Sequence, residues 1–326
     1  MRLIAASEVE QALDFPALVE RLRTAFRAGC TVPPRHHHHV HVPDSPDAPA
    51  SDATLLLMPA WVEGRFMGVK IVSVFPGNAA RGVDSVLGTY VLLSAQTGQP
   101  LAALDGRMLT LRRTAAASAL AAKYLARTDS HRMLMVGTGA LASQLVLAHA
   151  SVRPIREVLI WGRNFDKAER LAKVLDGRRL SVRAARDLEA AVTGADVISC
   201  ATMTREPLVL GRWLKPGQHL DLVGAYTVDM READDEAVSK ARVYVDTRAG
   251  ALKEAGDIVQ PIRNGVLQEA EVAGELAELA QGRVAGRSYH NQITLFKSVG
   301  TALEDLAAAV MVFERTRSPG SGDALR

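Results

Sequence analysis

The stretch "RMLMVGTGALASQ" (residues 132–144) runs from apolar residues through Gly137, Gly139 and Ala142, in the order G-x-G-x-x-A, into residues that favour helix. Strand, glycine turn and helix in that order are what a nucleotide-binding βαβ unit needs. Gly137 permits the tight turn, Gly139 lets a diphosphate approach the backbone, and the small side chain of Ala142 lets helix and strand pack closely. With Thr138, Ala140 and Leu141 between them, these residues form a candidate diphosphate cradle at a helix N-terminus. Glycine turns are common, so the surroundings decide the reading.

Five further strand-like runs follow: "EVLIWG" (157–162), "LSVRAA" (180–185), "DVISCAT" (196–202), "HLDLVGA" (219–225) and "RVYVDT" (242–247). Helical segments such as "DKAERLAKVLDG" and "DLEAAVTGA" separate the early ones. Apolar strands alternating with helices predict a doubly wound parallel sheet, an α/β fold of Rossmann type. Ligands of such sheets bind at the carboxyl ends of the strands. That places Thr202 and Thr204 after the fourth strand near a coenzyme, with Tyr226 and Asp229 after the fifth. Asp229 reads equally well as a loop cap.

The turn after the second strand bears on which dinucleotide binds. NAD sites usually carry an acid there for the ribose 2′-hydroxyl. This chain reads "LIWGRNFDKAE", with Gly162, Arg163 and Asn164 at the turn. Arg163 suits a 2′-phosphate and no carboxylate stands at that position to repel it, so NADP(H) is favoured, with NAD(H) open. The plainer reading makes Arg163 a solvated turn residue and Asp166 a helix cap.

The totals exclude little else. A chain of 326 residues has room for two cores, and a net charge of +3 without long basic runs gives no support to nucleic-acid or membrane-surface binding. Cys30 and Cys200 form neither a metal spacing nor a disulfide framework, no run reaches membrane-spanning length, and the N-terminus lacks a signal-peptide pattern. A cytoplasmic location is expected.

Before residue 118 the chain mixes helix and strand. "SEVEQALDFPALVERLRTAFRAG" (7–29) has helical periodicity with Ser7 as N-cap. "ATLLLMP", "FMGVKIVSVFP" and "SVLGTYVLLSAQTGQPLAALD" read as strands, and 111–127 as a helix. At the far end, 301–316 reads as a helix with Ala and Val on one face, and the tail "SPGSGDALR" as disordered. In "TVPPRHHHHVHVP" (31–43) the histidines alternate as in an edge strand, and nothing in the inferred chemistry needs a metal there.

The chain resembles the ornithine cyclodeaminase/mu-crystallin family through "PPR" (33–35), "LMP" (57–59), "GVKIVSVFPGN" (68–78), "LDGRMLTLRRTAA" (104–116), "VGTGALA" (136–142), "GAYTVDMREADDE" (224–236) and "TLFKSVGTALED" (294–305). The resemblance implies a substrate-binding and dimerisation domain of residues 1–118 with 298–326, beside a dinucleotide domain of residues 119–297. It implies a homodimer, and a substrate carboxylate held by Arg35, Lys70 and Arg113, with Met58 and Tyr226 in the pocket. Thr110, Thr114 and Ser298, inside the matching stretches, complete the candidate coenzyme contacts.

The family contains imine reductases, cyclodeaminases, alanine dehydrogenases and a hormone-binding crystallin. A cyclodeaminase also needs acids for proton shuttling and for the distal ammonium. At the positions where the resemblance puts them, this chain has Leu56 and Tyr226. A tyrosine with a pKa near 10 is a poor base, and leucine cannot pair an ammonium. The resemblance is closer to the ketimine reductase/mu-crystallin branch. It implies an NAD(P)H-dependent reductase of cyclic imino acids, with three cations around the substrate and no acid there to drive deamination. Ornithine cyclodeamination and non-enzymatic, NADPH-dependent small-molecule binding are the alternatives.

Overall fold

The structure is a computed structural model that describes residues 1–43, 51–177 and 179–317; the tail expected to be disordered lies outside them. The chain divides into two compact units, Met1–Arg113 with Thr301–Arg326, and Thr114–Gly300.

The first unit is built on six strands, β1 (Arg2–Ile4), β2 (His36–Val42), β3 (Ser51–Val62), β4 (Phe66–Val74), β5 (Val86–Ser94) and β6 (Pro100–Asp105). They lie in the order β1-β6-β5-β4-β3-β2, antiparallel except for the β1–β6 pair. Side chains alternate between the faces of a strand, so Phe66, Gly68 and Lys70 of β4 share the buried side. The helices Phe15–Ala28 and Ala302–Thr316 pack together, and the second lies along β3, β4 and β5. Leu18, Val19 and Leu22 of the first are fully buried, each stabilising the unit by about 1.5–3 kcal/mol. Every residue of the second from Ala302 to Val312 is buried, so it is covered all round rather than on one face.

The helix expected over 7–29 is two helices, Ala6–Ala12 and Phe15–Ala28. Pro16 has no N–H to give the carbonyl four residues back, that of Ala12, and its ring crowds that carbonyl, so one continuous helix cannot run through it. The chain restarts at Asp14, whose carboxylate accepts the Ala17 N–H at 3.1 Å. Ser7 is inside the first helix, where Glu8 bonds the Ala5 N–H at 3.1 Å instead. Leu13, at the break, gives its carbonyl to Arg112 Nε at 2.9 Å, and the Arg112 guanidinium sits 4.0 Å over the Phe15 ring. The histidines occupy β2, the edge strand, and all are exposed.

The second unit holds one parallel sheet of eight strands: β7 (Arg132–Val136), β8 (Glu157–Trp161), β9 (Ser181–Ala184), β10 (Val197–Cys200), β11 (His219–Leu222), β12 (Arg242–Val245), β13 (Gly274–Glu275) and β14 (Thr294–Lys297). The order β13-β12-β14-β11-β10-β7-β8-β9 reverses at β7, which sets the ligand crevice at the carboxyl ends of β7 and β10. The six expected strands are present and two were not expected. Of these, β14 inserts between β11 and β12, and its Lys297 is fully buried against Asp257 at 3.1 Å. Among the described residues, no helix is long and apolar enough to cross a membrane.

Candidate active site

In the first unit, strand pairing assembles the site. Met58 on β3 and Tyr90 on β5 are the register partners of Lys70 on β4, so the three form a row on the helix-covered face. All three are buried. Gly68 clears the ground beside them, because a Cβ there would sit 2.4 Å from the Tyr90 hydroxyl oxygen.

The helix Ala302–Thr316 lowers two carboxylates onto this row. Lys70 Nζ lies 2.8 Å from Asp305 Oδ2, and Arg113 Nε lies 2.9 Å from Asp305 Oδ1. Arg113 Nη1 donates to Glu304 Oε2 at 2.5 Å. Asp305 and Glu304 are fully buried and the two cations nearly so.

Burial alone would raise the Asp305 carboxyl, but Arg113 and Lys70 outweigh it and hold it below the usual range, with Arg35 acting in the same direction. Desolvation pulls the Lys70 ammonium down to about 8, helped by the Arg113 charge and opposed by Asp305 and Glu304. Lys70 and Arg113 therefore meet on one carboxylate, and Arg35, half-buried just before β2, adds its field there.

Two acids that the sequence analysis did not name, Glu304 and Asp305, join the cations, and each buried charge is tolerable only because it is paired. Their signal was two adjacent acids in "TALEDLAAAVMVF", a helix apolar on every side. Tyr90 also went unread. Its buried hydroxyl has no hydrogen-bond partner among the described residues, and burial, with the Asp305 charge nearby, raises its pKa. Leu56 is half-buried on β3, and Thr110 bonds the Gly106 carbonyl at 2.7 Å.

In the second unit the glycine turn has the form a diphosphate needs. Gly137 has φ +121°, and a Cβ there would sit 2.6 Å from the Ala201 carbonyl oxygen, so only glycine fits between β7 and β10. A Cβ on Gly139 would meet nothing within 4 Å. The helix Ala140–Val152 starts there, with no acid in its first turn to oppose an anion. Ala142 is fully buried, Thr138 and Leu141 are half-buried, and Ala140 is exposed. These features fit a dinucleotide diphosphate.

At the second turn Arg163 is exposed, and Asn164 caps the helix Phe165–Leu175 by accepting the Lys167 N–H at 3.0 Å. Asp166 is inside that helix and is not its cap. A Cβ on Gly162 would lie 2.7 Å from Thr138 Cγ2, which leaves an acid at position 162 little room.

Other candidates are committed to the protein itself. Thr202 gives its N–H and hydroxyl to Glu232 at 2.6 and 2.8 Å, and Thr204 gives its hydroxyl to the Glu206 carbonyl at 2.7 Å. Ser298 is buried and continues the strand pairing through the Leu222 carbonyl at 3.1 Å. Thr114 is half-buried in the helix Gly106–Leu125. Tyr226 is 45% exposed, and Asp229 is held by Thr227 at 2.5 Å and Arg205 at 3.1 Å.

The profile of the ornithine cyclodeaminase/mu-crystallin family matches residues 2–320. The chain belongs to that family. It is 37% identical over 320 residues to the Δ1-pyrroline-2-carboxylate reductase of Colwellia psychrerythraea, spanning 97% of this chain and 99% of the relative. It is 37% identical over 259 residues to the ketimine reductase mu-crystallin of Rattus norvegicus, spanning 79% of each. Among solved structures, the Thermococcus litoralis Δ1-pyrroline-2-carboxylate reductase, in complex with NADH and L-proline, superposes with a TM-score of 0.87 at 34% identity, covering 97% of each chain.

Proposed function

We propose that this member of the family is an NAD(P)H-dependent reductase of cyclic imino acids, Δ1-pyrroline-2-carboxylate or Δ1-piperideine-2-carboxylate. The observation that carries the reading is the convergence of Lys70, Arg113 and the Arg35 charge on Asp305. Cations gathered at one place in this way are what a substrate with a single carboxylate complements. Arg113 and Arg35 bind that carboxylate and Lys70 adds a point charge. The relatives named as reductases and the NADH and L-proline of the Thermococcus enzyme support the substrate class.

The coenzyme supplies a hydride to the imine carbon when bound. Gly137 to Ala142 would hold its diphosphate, and Arg163 the 2′-phosphate of NADP(H), the coenzyme favoured over NAD(H). Lys70, with a pKa near 8, holds a proton at Nζ under neutral conditions and is the donor to the imine nitrogen. Asp305 keeps Lys70 oriented and charged. Met58 lines the pocket beside Lys70.

Cyclodeamination fits less well. Its base must accept a proton at neutral pH, and Arg113 and Lys70 hold Asp305 in the opposite sense, as a stabilised and therefore weakly basic carboxylate. Leu56 and Tyr226 offer no substitute.

A homodimer is part of the proposal. The sheet face opposite Lys70 carries Leu55, Leu57, Val69, Ile71 and Leu87, none of them fully buried, and an apolar face of that kind marks an interface.

Two assays run in parallel test the function: loss of NAD(P)H absorbance with Δ1-pyrroline-2-carboxylate, and ammonia release from ornithine. Coenzyme consumption with the imine and no ammonia is expected. Ammonia from ornithine would make the chain a cyclodeaminase, and coenzyme binding without turnover of either substrate would make it a binding protein.

A further inference from the structure

Glu232 is fully buried in the second unit, and both of its oxygens accept from the loops that follow β10 and β11. Oε1 takes the Thr202 N–H at 2.6 Å and the Thr202 hydroxyl at 2.8 Å, and Oε2 takes the Gly224 N–H at 2.7 Å. The two loops are pressed together there. A Cβ on Gly224 would lie 2.0 Å from the Thr202 carbonyl oxygen, and one on Gly137 would lie 2.6 Å from the carbonyl oxygen of Ala201, the residue before Thr202. One carboxylate thus fixes the backbone at the point where the glycine turn, the β10 loop and the β11 loop meet.

We propose that Glu232, in its ionised form, is a positioning residue for the coenzyme: by accepting from both loops at once it shapes the crevice into which the dinucleotide binds. The inference rests on the coenzyme reading above. The chemistry requires the carboxylate in particular. All three partners are donors, so a carboxylic acid or a carboxamide would turn a hydrogen toward an N–H and break one side of the clamp.

The surroundings make this ionisation sensitive to pH. Burial raises the Glu232 carboxyl to about 7; the Lys297 ammonium opposes that shift and the Asp257 carboxylate adds to it. Asp257 is tied to the same segment, taking the Glu232 N–H at 2.6 Å and the Ala233 N–H at 3.2 Å, and it pairs with Lys297 at 3.1 Å. Cys200 is within reach of the same charges, but burial pushes its thiol far up, so it stays neutral near pH 7.

The test is NADH binding by calorimetry from pH 6 to pH 9, on wild type, Glu232→Gln and Glu232→Asp, with melting temperatures measured without coenzyme. NADH is the probe because it lacks the 2′-phosphate, which titrates in this range. Wild-type Kd should rise below about pH 7, approaching tenfold per pH unit. Glu232→Gln should bind at least tenfold more weakly at pH 8 with a Kd flat in pH, and Glu232→Asp should recover part of the affinity and the slope. A folded Glu232→Gln with wild-type Kd and slope overturns the inference. So does a wild-type Kd flat from pH 6 to pH 9, which needs no variant to fold. Both results leave the coenzyme reading standing, whereas wild type that binds neither NADH nor NADPH at any pH sinks that reading and the inference together.

Discussion

Asp305→Asn probes the cluster at its centre. The side chain is fully buried and bridges two cations, at 2.8 Å to Lys70 and 2.9 Å to Arg113. The amide has the same shape but keeps one acceptor, and it turns N–H groups toward a cation. Removing one partner of a buried ion pair costs about 3–5 kcal/mol, because the other charge stays buried without compensation. That corresponds to a fall in melting temperature on the order of 10 °C.

The pH dependence has a definite sign. The Lys70 pKa is about 8 in the folded chain against an ordinary 10.5, so between those values the unfolded chain binds more protons and stability rises with pH. Below about 8 the cost of burying the ammonium is fully present. Asp305 is one of the groups that raise the Lys70 value, so its loss moves the lower limit of the window further down. Thermal melts at pH 7 and pH 9.5 should therefore show a large gap between variant and wild type at pH 7 that narrows at pH 9.5. A variant melting within about 2 °C of wild type at pH 7, or a gap that widens with pH, would refute the reasoning.

Three further outcomes follow from the same geometry. Free-enzyme kcat/KM should fall above about pH 8 as Lys70 loses its proton, and in Asp305→Asn the fall should begin at lower pH, as pH–rate profiles would record. Gly137→Ala, which forces a methyl to 2.6 Å from the Ala201 oxygen at a φ of +121°, should abolish measurable coenzyme binding in titration calorimetry. Arg163→Ala should weaken NADPH binding about tenfold or more and leave NADH binding within about twofold, if that guanidinium meets the 2′-phosphate.

The sheet of the second unit could be read from the sequence because six of its strands are short apolar runs closed by glycine or polar turns, and a buried parallel sheet has that pattern. β13 has two residues, and β14, "TLFK", ends in a lysine. Lys297 is acceptable in the core only because Asp257 waits for it from a segment about 40 residues away, and local pattern carries no trace of such a pairing. The same limit hid the two acids of the cationic cluster. Lys70 stood out as a charge inside an apolar strand, but Glu304 and Asp305 lie more than 230 residues beyond it. Glu232 was unreadable for a related reason: its partners are two backbone N–H groups and a hydroxyl, and donors of that kind are present everywhere in a chain.

The most direct measurement compares competitive inhibition by pyrrole-2-carboxylate and pyrrole-2-carboxamide, rings of equal size of which only the first carries a negative charge. If Arg35, Lys70 and Arg113 seat a substrate carboxylate, the acid should inhibit at least tenfold more strongly than the amide, by about 1.4 kcal/mol or more. Equal inhibition by both would contradict that claim.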